Sequence, residues 1–418
     1  MKIVNVHARE ILDSRGWPTV EVELELENGV SSIASVPSGA SVGNKEAIEL
    51  RDNDINRYLG RGVLKAVENV NTVIKNSLIG MDVLEQEKID KKLIELDGTQ
   101  NKSRLGANAI LACSLAVLKA SSIVKKLPIY KMFGSNYKMP IPMFNVINGG
   151  VHADNNLVFQ EFMILPNRET FADGLRVCDE VFHVLNNELK DKKLSTGVGD
   201  EGGFSPNISD TFWVLEMLCN AIEKAGYTPG KDVLLAIDVA ANSFYKDKNY
   251  YYENKIIDSE ELFLLYKKII FKYPVISIED PFYEEDYISY KNITKKFGKR
   301  VQIVGDDLFV TNKKYLKRGI ENGLANAILI KMNQVGTITE MLETVRLAKQ
   351  NNYRIIISHR SGETEDTTIA DLSVGLGADM IKAGSLSRGE RICKYNRLLR
   401  IEEKLKQQNW KNKKSVNF

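Results

Sequence analysis

The chain has 418 residues, of which 43% are hydrophobic and 27% charged, and its formal net charge is +2. This composition is typical of a soluble globular protein, and the near-neutral charge gives no reason to expect a nucleic-acid partner. The sequence contains no run of about 18 apolar residues, the length that spans a bilayer, and its first segment, MKIVNVHAREILDSRG, lacks the apolar core of a signal peptide. The cysteines are far apart and form no CxxC pair, so we expect reduced thiols in a cytoplasmic protein.

The first third of the chain predicts an α+β domain. The segment TVEVELELENGV alternates apolar and acidic residues and ends in Asn28-Gly29, which predicts a strand followed by a hairpin turn. Helical spacing follows to about residue 127, and prolines then interrupt the pattern. We therefore predict an N-terminal domain of residues 1–135 and a C-terminal domain of residues 136–418. The Gly- and Ser-rich loop 36–45 is typical of a connector or of a lid.

The second half of the chain repeats one pattern six times. Short aliphatic runs stop on chemically active residues, in the segments VLLAID, VISIED, VQIVGDD, NAILIK, RIIISHRS and MIKAG. Their last residues lie 23 to 41 positions apart, enough for a strand, a returning helix and two loops. This is the spacing of a (β/α) barrel, in which the reacting groups lie at the carboxyl ends of the strands.

Three of these strand ends carry acids that predict a metal site. Asp238, Glu279 and Asp306 would repel one another strongly without a cation between them, and oxygen ligands favour a hard cation such as Mg²⁺. The alternative is a buried salt-bridge network of these acids with Lys331 and Lys382, although such burial contributes little to stability. We expect another cationic group and the metal nearby to disfavour the charged form of Lys331, which would let it act as a general base.

Other positions give weaker signals on their own. Glu201 lies in the Gly-rich turn GVGDEGGF and Glu161 in QEFMILP, and an acid in such a turn is usually just exposed. The planar guanidinium of Arg360 and the hydroxyl of Ser361 are hydrogen-bond donors that suit a phosphate. His152 and His359 follow predicted strands.

Taken together, these motifs resemble the enolase family over essentially the whole chain. The matching segments, in order, are DSRGWPTVEVE, VPSGAS, NVINGGVHADN, QEFMILP, GVGDEGGF, SIEDP, GDDLFVTN, LIKMNQVG, SHRSGETEDT and KYNRLLRIEE. The resemblance implies an α/β fold, with a C-terminal TIM-like (β/α)8 barrel of the enolase type and an N-terminal α+β capping domain. It also implies the Mg²⁺-dependent, reversible dehydration of 2-phosphoglycerate to phosphoenolpyruvate in glycolysis.

The resemblance assigns a role to each site residue. Lys331 would remove the proton beside the substrate carboxylate, and Glu201 would protonate the departing hydroxyl. Two Mg²⁺ ions are implied, the first on Asp238, Glu279 and Asp306 and the second arriving with substrate at the lid residue Ser41. The implied substrate-binding residues are His152, Glu161, Glu279, Asp306, Ser358, His359, Arg360, Ser361 and Lys382.

Some positions depart from the family pattern. Val42 stands where threonine is usual, Trp17 where asparagine is usual, and Val239 and Ser243 where cysteine and glutamate are common. None of them is a proposed ligand or the base, so these departures affect the expected lid closure and packing rather than the reaction.

Alternative functions remain open at this stage. A racemase or lactonising enzyme of the same superfamily usually has a Lys-x-Lys pair on the second barrel strand, where this chain has QEFMILP. The resemblance also implies a homodimer or octamer and leaves room for secondary partners at the cell surface or in RNA-processing machinery. A receptor role that needs a terminal lysine is disfavoured, because the sequence ends in Phe418.

Overall fold

The computed structural model describes residues 1–40, 45–135 and 137–407. Its first unit is an antiparallel sheet in the order β1 (Ile3–Leu12), β2 (Pro18–Leu26) and β3 (Ser31–Ser35). The alternation in the sequence gives β2 one buried and one polar face. Val20, Val22 and Leu24 are fully buried on the first face. On the other face, Glu21 forms an ion pair with Arg9 of β1 at 2.9 Å. The predicted strand and its Asn-Gly turn are confirmed.

Helices cover the buried face of this sheet. They are α1 (Leu64–Asn69), a π-helical turn (Val70–Ile74), α2 (Lys75–Leu78), α3 (Gln86–Asp97) and α4 (Ala107–Val124). Helix α4 is long and apolar enough to span a membrane by length and composition, but 83% of it is buried inside the protein. It packs on β2 and β3, so it is the core helix of the N-terminal domain.

Eight strands in the described part of the chain close the barrel of the second unit. In spatial order they are β4 (Ile141–Asn148), β5 (Glu161–Pro166), β6 (Val233–Asp238), β10 (Val275–Glu279), β11 (Gln302–Gly305), β12 (Ala327–Ile330), β13 (Arg354–Ser358) and β14 (Met380–Lys382). The α/β fold class, with its barrel and N-terminal domain, is confirmed. A small sheet of β7 (Tyr245–Lys246), β8 (Asn249–Tyr252) and β9 (Lys255–Ile257) follows β6.

One barrel strand runs against the others. Strand β5 is antiparallel to both of its neighbours, β4 and β6, whereas the remaining neighbours pair in parallel. Two helices follow β5 before the next strand, α5 (Phe171–Asp191) and α6 (Thr211–Lys224). The later helices alternate with strands: α7 (Ser259–Lys272), α8 (Tyr287–Phe297), α9 (Lys313–Asn322), α10 (Ile338–Gln350), α11 (Thr368–Gly375) and α12 (Gly389–Gln407).

Short 3-10 turns complete the described elements: Tyr58–Gly60, Ile129–Phe133, Gly150–His152, Ala241–Phe244 and Met332–Gln334. Inside the barrel, inward-facing side chains fill the space as a packed core: Met143, Met163, Leu165, Ala236, Val304, Ala327, Leu329, Ile356 and Met380. Since this core closes the barrel interior, a ligand can approach only at an end of the barrel.

The two domains meet at the mouth of the barrel through ion pairs. Lys102, which precedes α4, lies 2.9 Å from Glu340 of α10. Lys119 of α4 pairs with Asp366, in the loop before α11, and also donates to a backbone carbonyl of β3 at 2.8 Å. These contacts place the N-terminal domain over the carboxyl ends of the barrel strands.

Candidate active site

The predicted site residues converge on this mouth. Asp238, Glu279, Ser358 and Lys382 are the last residues of β6, β10, β13 and β14. Others follow a strand directly or lie in the loops above it: Asp306, Lys331, His359, Arg360, Ser361, His152 and Glu201. Glu161 is the first residue of β5, and it reaches the mouth because that strand is antiparallel. Ser41 lies outside the described residues, as does the 41–44 part of the predicted lid loop.

Lys382 is at the centre of a buried group of acids. Its Nζ lies 2.8 Å from Oδ2 of Asp238, 3.0 Å from Oε2 of Glu279 and 3.2 Å from Oε1 of Glu161. Burial alone would lower the pKa of Lys382, but these three negative charges outweigh it and raise the pKa well above its ordinary value. Lys382 is therefore a fixed ammonium ion.

Lys331 pairs with Asp306. The Nζ of Lys331 contacts Oδ2 of Asp306, whose Oδ1 accepts a hydrogen bond from Nε2 of Gln334 at 2.9 Å. Burial lowers the pKa of Lys331, but the Asp306 carboxylate more than compensates, so the pKa is raised. The contact with Asp306 thus favours the charged form of Lys331, and its role as a base beside a bound metal ion stays a prediction. Among the described residues these acids contact Lys331 and Lys382, and the metal site stays a prediction.

Glu201 is surrounded by hydrogen-bond donors. Asn145 donates to its Oε2 at 3.1 Å, and Nε2 of His359 lies 3.3 Å from the same oxygen. Nδ1 of His152 is 3.5 Å from Oε1 of Glu201 and 3.5 Å from Oε1 of Glu161, so this imidazole bridges the two acids. All five side chains are buried.

These surroundings separate the two glutamates. Burial, followed by the charge of Glu201, raises the pKa of Glu161 well above its ordinary value. Burial would raise the pKa of Glu201 as well, but the neighbouring His152 and His359 lower it well below its ordinary value. The two carboxyl groups therefore differ in acidity, because the pKa of Glu161 is raised and that of Glu201 is lowered.

Arg360 and Ser361 contact the N-terminal domain. Arg360 is buried, and its guanidinium donates to Oε2 of Glu46 at 2.8 Å and to Oδ1 of Asn333 at 3.0 Å. The hydroxyl of Ser361 accepts a hydrogen bond from the backbone N–H of Ala40 at 2.8 Å. The base of the predicted lid loop thus contacts the predicted phosphate site directly.

The donor set of the mouth suits a metal ion. Among the described residues, five carboxylates (Glu161, Glu201, Asp238, Glu279 and Asp306) share the mouth with two lysines, and Oε2 of Glu161 is buried without a hydrogen-bond partner. A cation would balance the excess negative charge and take up the unsatisfied oxygen.

The acids group differently from the predicted triad. In the described part of the chain, two groups of residues have potential metal-binding atoms within 4.8 Å of one another. One group is His152, Glu161 and Glu201, and the other is Asp280, Asp306 and Asp307. Asp238, Glu279 and Asp306 do not form such a group; Lys382 contacts the first two, and Lys331 contacts Asp306. Burial and the charge of Asp306 raise the pKa of Asp307 to about 7, a further sign of excess negative charge.

Several supporting residues were not among the predicted site residues. Gln160 donates to Oδ2 of Asp238 at 3.2 Å, and the carboxylate of Asp280 accepts from the backbone N–H groups of Asp306 and Asp307 at 3.0 and 2.7 Å. Gln160, Gln334 and Asp280 each lie beside a predicted site residue in a motif, which could have indicated them. Arg391 of α12, described below, had no such neighbour.

Comparison with known proteins identifies the family. The profile for the enolase N-terminal domain matches residues 3–133, and that for the enolase C-terminal TIM barrel domain matches residues 136–417. The enolases of Ehrlichia ruminantium strains Welgevonden and Gardel are each 54% identical over 408 residues, which is 97% of this chain and 97% of each relative. The chain belongs to the enolase family. Enolase is a glycolytic lyase, a phosphopyruvate hydratase, and this is the activity of the chain.

Enolases depend on a metal ion, and the acidic groups at the mouth could bind one. The pocket between them is lined by charged and polar side chains of the enolase motifs: His152, Gln160, Glu161, Glu201, Asp238, Lys331, Ser358, His359, Arg360, Ser361 and Lys382. An anionic substrate suits this lining, because Lys331, Lys382 and Arg360 present positive charge to it.

Proposed function

We propose that the chain converts 2-phosphoglycerate to phosphoenolpyruvate, and the reverse, with Lys331 as base, Glu201 as acid and two Mg²⁺ ions. The observation that supports this most strongly is that one buried pocket is lined by both an amine and a carboxyl group suited to these roles. An elimination needs both kinds of group, one for the proton on carbon and one for the leaving oxygen.

Asp238, Glu279 and Asp306 would hold the first Mg²⁺, and Ser41 would contact the second, which arrives with substrate. When bound, Mg²⁺ neutralises the substrate carboxylate and the negative charge that grows on it during deprotonation. Binding at this site requires the lysines to exchange partners. Lys331 has to release Asp306, which is the carboxylate that raises its pKa.

Lys331, once neutral, takes the proton from the carbon beside the substrate carboxylate. Lys382 stays protonated because it faces Asp238, Glu279 and Glu161, and it supplies a fixed positive charge beside the substrate carboxylate. The two lysines thus have different roles. The difference rests on the number of carboxylates that each one contacts.

Glu201 serves the oxygen side of the reaction. In dehydration Glu201 has to bind a proton first, and it then gives this proton to the hydroxyl as the carbon–oxygen bond breaks, water leaves and the carbon–carbon double bond forms. In hydration the ionised carboxylate takes the proton from the attacking water. Its lowered pKa favours the ionised form, which is the form that hydration requires.

The remaining residues would bind and orient the substrate. Arg360 offers its guanidinium and Ser361 its hydroxyl to the phosphate, with Ser358 and His359 beside them. Glu161 and His152 hold Glu201 in place from the other side. We further infer a cytoplasmic homodimer or octamer, in line with the family.

A direct assay tests the proposal. The purified chain is given 2-phosphoglycerate with and without added Mg²⁺, and the conjugated product is followed by its ultraviolet absorbance. We expect product only with Mg²⁺, and none in a buffer that contains a metal chelator. Full activity in metal-free buffer, or no product under any condition, would refute it.

A further inference from the structure

Arg391 is a fully buried arginine that the proposed reaction does not use. It lies in the first turn of α12, its exposed fraction is 0%, and its guanidinium is directed at the loop that carries His359. One terminal nitrogen lies 2.7 Å from Nδ1 of His359 and 2.6 Å from the carbonyl of Arg360. The other donates to the carbonyls of Ser361 at 2.5 Å and Asp200 at 3.0 Å.

The chemistry of these contacts decides where the proton of His359 lies. A guanidinium has only N–H donors, so the imidazole Nδ1 that faces it at 2.7 Å has to be the acceptor. In a neutral imidazole the single proton then lies on Nε2. That nitrogen is 3.3 Å from Oε2 of Glu201 and has no completed hydrogen bond in the described structure.

We propose that Arg391 is a positioning residue that fixes His359 as the Nε2–H tautomer and thereby directs an N–H group at Glu201. The other tautomer would place two donors 2.7 Å apart in a buried site, and an imidazolium would do the same with an added positive charge. His359 consequently supplies a hydrogen bond to the acid rather than a cation to the phosphate.

The protonation equilibrium of His359 agrees with this arrangement. Burial, with a smaller effect from the charge of Arg391, lowers the pKa of His359 to about 4, although Glu201 acts in the opposite direction. The imidazole is therefore neutral near pH 7, and its tautomer, not its charge, is the variable that Arg391 controls.

Nitrogen NMR of the resting protein tests the tautomer without substrate or metal. The chain contains four histidines, so selective ¹⁵N-histidine labelling gives few signals, and those of His359 are the ones lost in His359→Gln. We expect Nδ1 to show the shift of an unprotonated nitrogen and Nε2 that of a protonated one at neutral pH. A proton on Nδ1, or an imidazolium, would overturn the proposal.

Variants test the consequence, which rests on the proposed role of Glu201. Arg391→Gln should mix the tautomers and lower kcat about 10- to 100-fold, with a smaller change in KM, and Arg391→Lys should restore part of the loss because it keeps a donor. Arg397 lies on the same helix as Arg391 and forms an ion pair with Asp371 of α11 at 2.6 Å, so Arg397→Gln is the matched control and should leave the His359 signals unchanged. An Arg391→Gln protein with wild-type tautomer and kcat would also refute the proposal.

The NMR and activity results distinguish a failure of the proposed reaction from a failure of the proposal about Arg391. If Arg391→Gln does not fold, the wild-type spectrum still decides the tautomer. If no phosphoenolpyruvate forms but the Nε2–H tautomer is found, the proposed reaction fails and the inference about Arg391 stands. If product forms and Nδ1 carries the proton, the proposed reaction stands and the inference about Arg391 fails.

Discussion

Glu161 and Asp238 are register partners on β5 and β6, although Glu161 is the first residue of its strand and Asp238 is the last of its own. This pairing is a direct result of the reversed direction of β5. In a fully parallel barrel the first residue of a strand would lie at the far end, away from the loops that carry the reacting groups. Reversal of one strand therefore adds a carboxylate to the mouth beside Lys382.

The different surroundings of Lys331 and Glu201 predict that their variants separate two steps. Lys331→Ala should lower hydrogen exchange at the carbon beside the substrate carboxylate by about 10²- to 10⁴-fold, because the base is gone. Glu201→Gln should keep this exchange and lose water elimination. Isotope loss from the substrate and ultraviolet absorbance of the product measure the two steps. Lys313→Ala, at an exposed pair with Glu343, is the control. Identical behaviour of both variants would contradict the division of roles.

The excess of carboxylates at the mouth predicts that Mg²⁺ stabilises the folded chain. At a Mg²⁺ concentration 100 times the dissociation constant, the gain in unfolding free energy should be about 2.7 kcal/mol, seen as a rise in Tm. Asp238→Asn should lose most of this response because it removes a ligand. Asp90→Asn, a buried carboxylate between α3 and α10, should keep it. A wild-type response in Asp238→Asn would rule out that residue as a ligand.

The buried contact between Arg360 and Glu46 predicts a stability effect without substrate. Glu46→Gln removes the negative charge beside a buried guanidinium, and we expect a loss of about 1–3 kcal/mol in unfolding free energy, measured by urea denaturation. Glu340→Gln breaks a more exposed contact between the same domains, with Lys102, and should cost less than about 1 kcal/mol. Equal losses in the two variants would show that burial of the pair does not matter.

The ion pair between Asp366 and Lys119 predicts how the contact between the domains depends on pH. Burial would raise the pKa of Asp366, but the charge of Lys119 and the hydrogen bonds from Thr368 outweigh it, so the pKa is lowered. A group whose pKa is lower in the folded state stabilises the fold above its unfolded pKa, which is about 3.9 for an aspartate, and this contribution disappears as the pH falls through the folded pKa.

Asp366→Asn should therefore be less stable than the wild type at pH 7, by about 1–3 kcal/mol, and the difference should shrink below about pH 4. Urea denaturation at a series of pH values measures this. Lys119→Met should show the same pH trend, since it removes the partner. A difference that stays constant across the whole pH range would exclude the ion pair as its source.

Much of the barrel could be predicted from local pattern alone. The six aliphatic runs form β6, β10, β11, β12, β13 and β14. Buried parallel strands have nearly continuous apolar sequences, so their positions are visible in the sequence. The direction of β5 is not, because QEFMILP would be equally apolar in either orientation.

Within the site, sequence motifs located the charged residues but not their pairing. Lys382 ends a barrel strand and Lys331 directly follows one, yet only the structure shows that Lys331 contacts a single carboxylate and Lys382 contacts three. The pKa of a buried amine depends on which charges lie within a few ångströms, and strand register and side-chain direction set these distances.

The amino-acid sequence by itself determined the rhythm of strands and helices, the family, and the set of acids, lysines and histidines available for catalysis, since these depend on residue type and spacing. Only the tertiary structure decided that Glu161 reaches the mouth from a reversed strand and that Arg391, 32 residues from His359 along the chain, packs against its Nδ1. Such contacts join distant segments, and it is the packing of the whole barrel that fixes them.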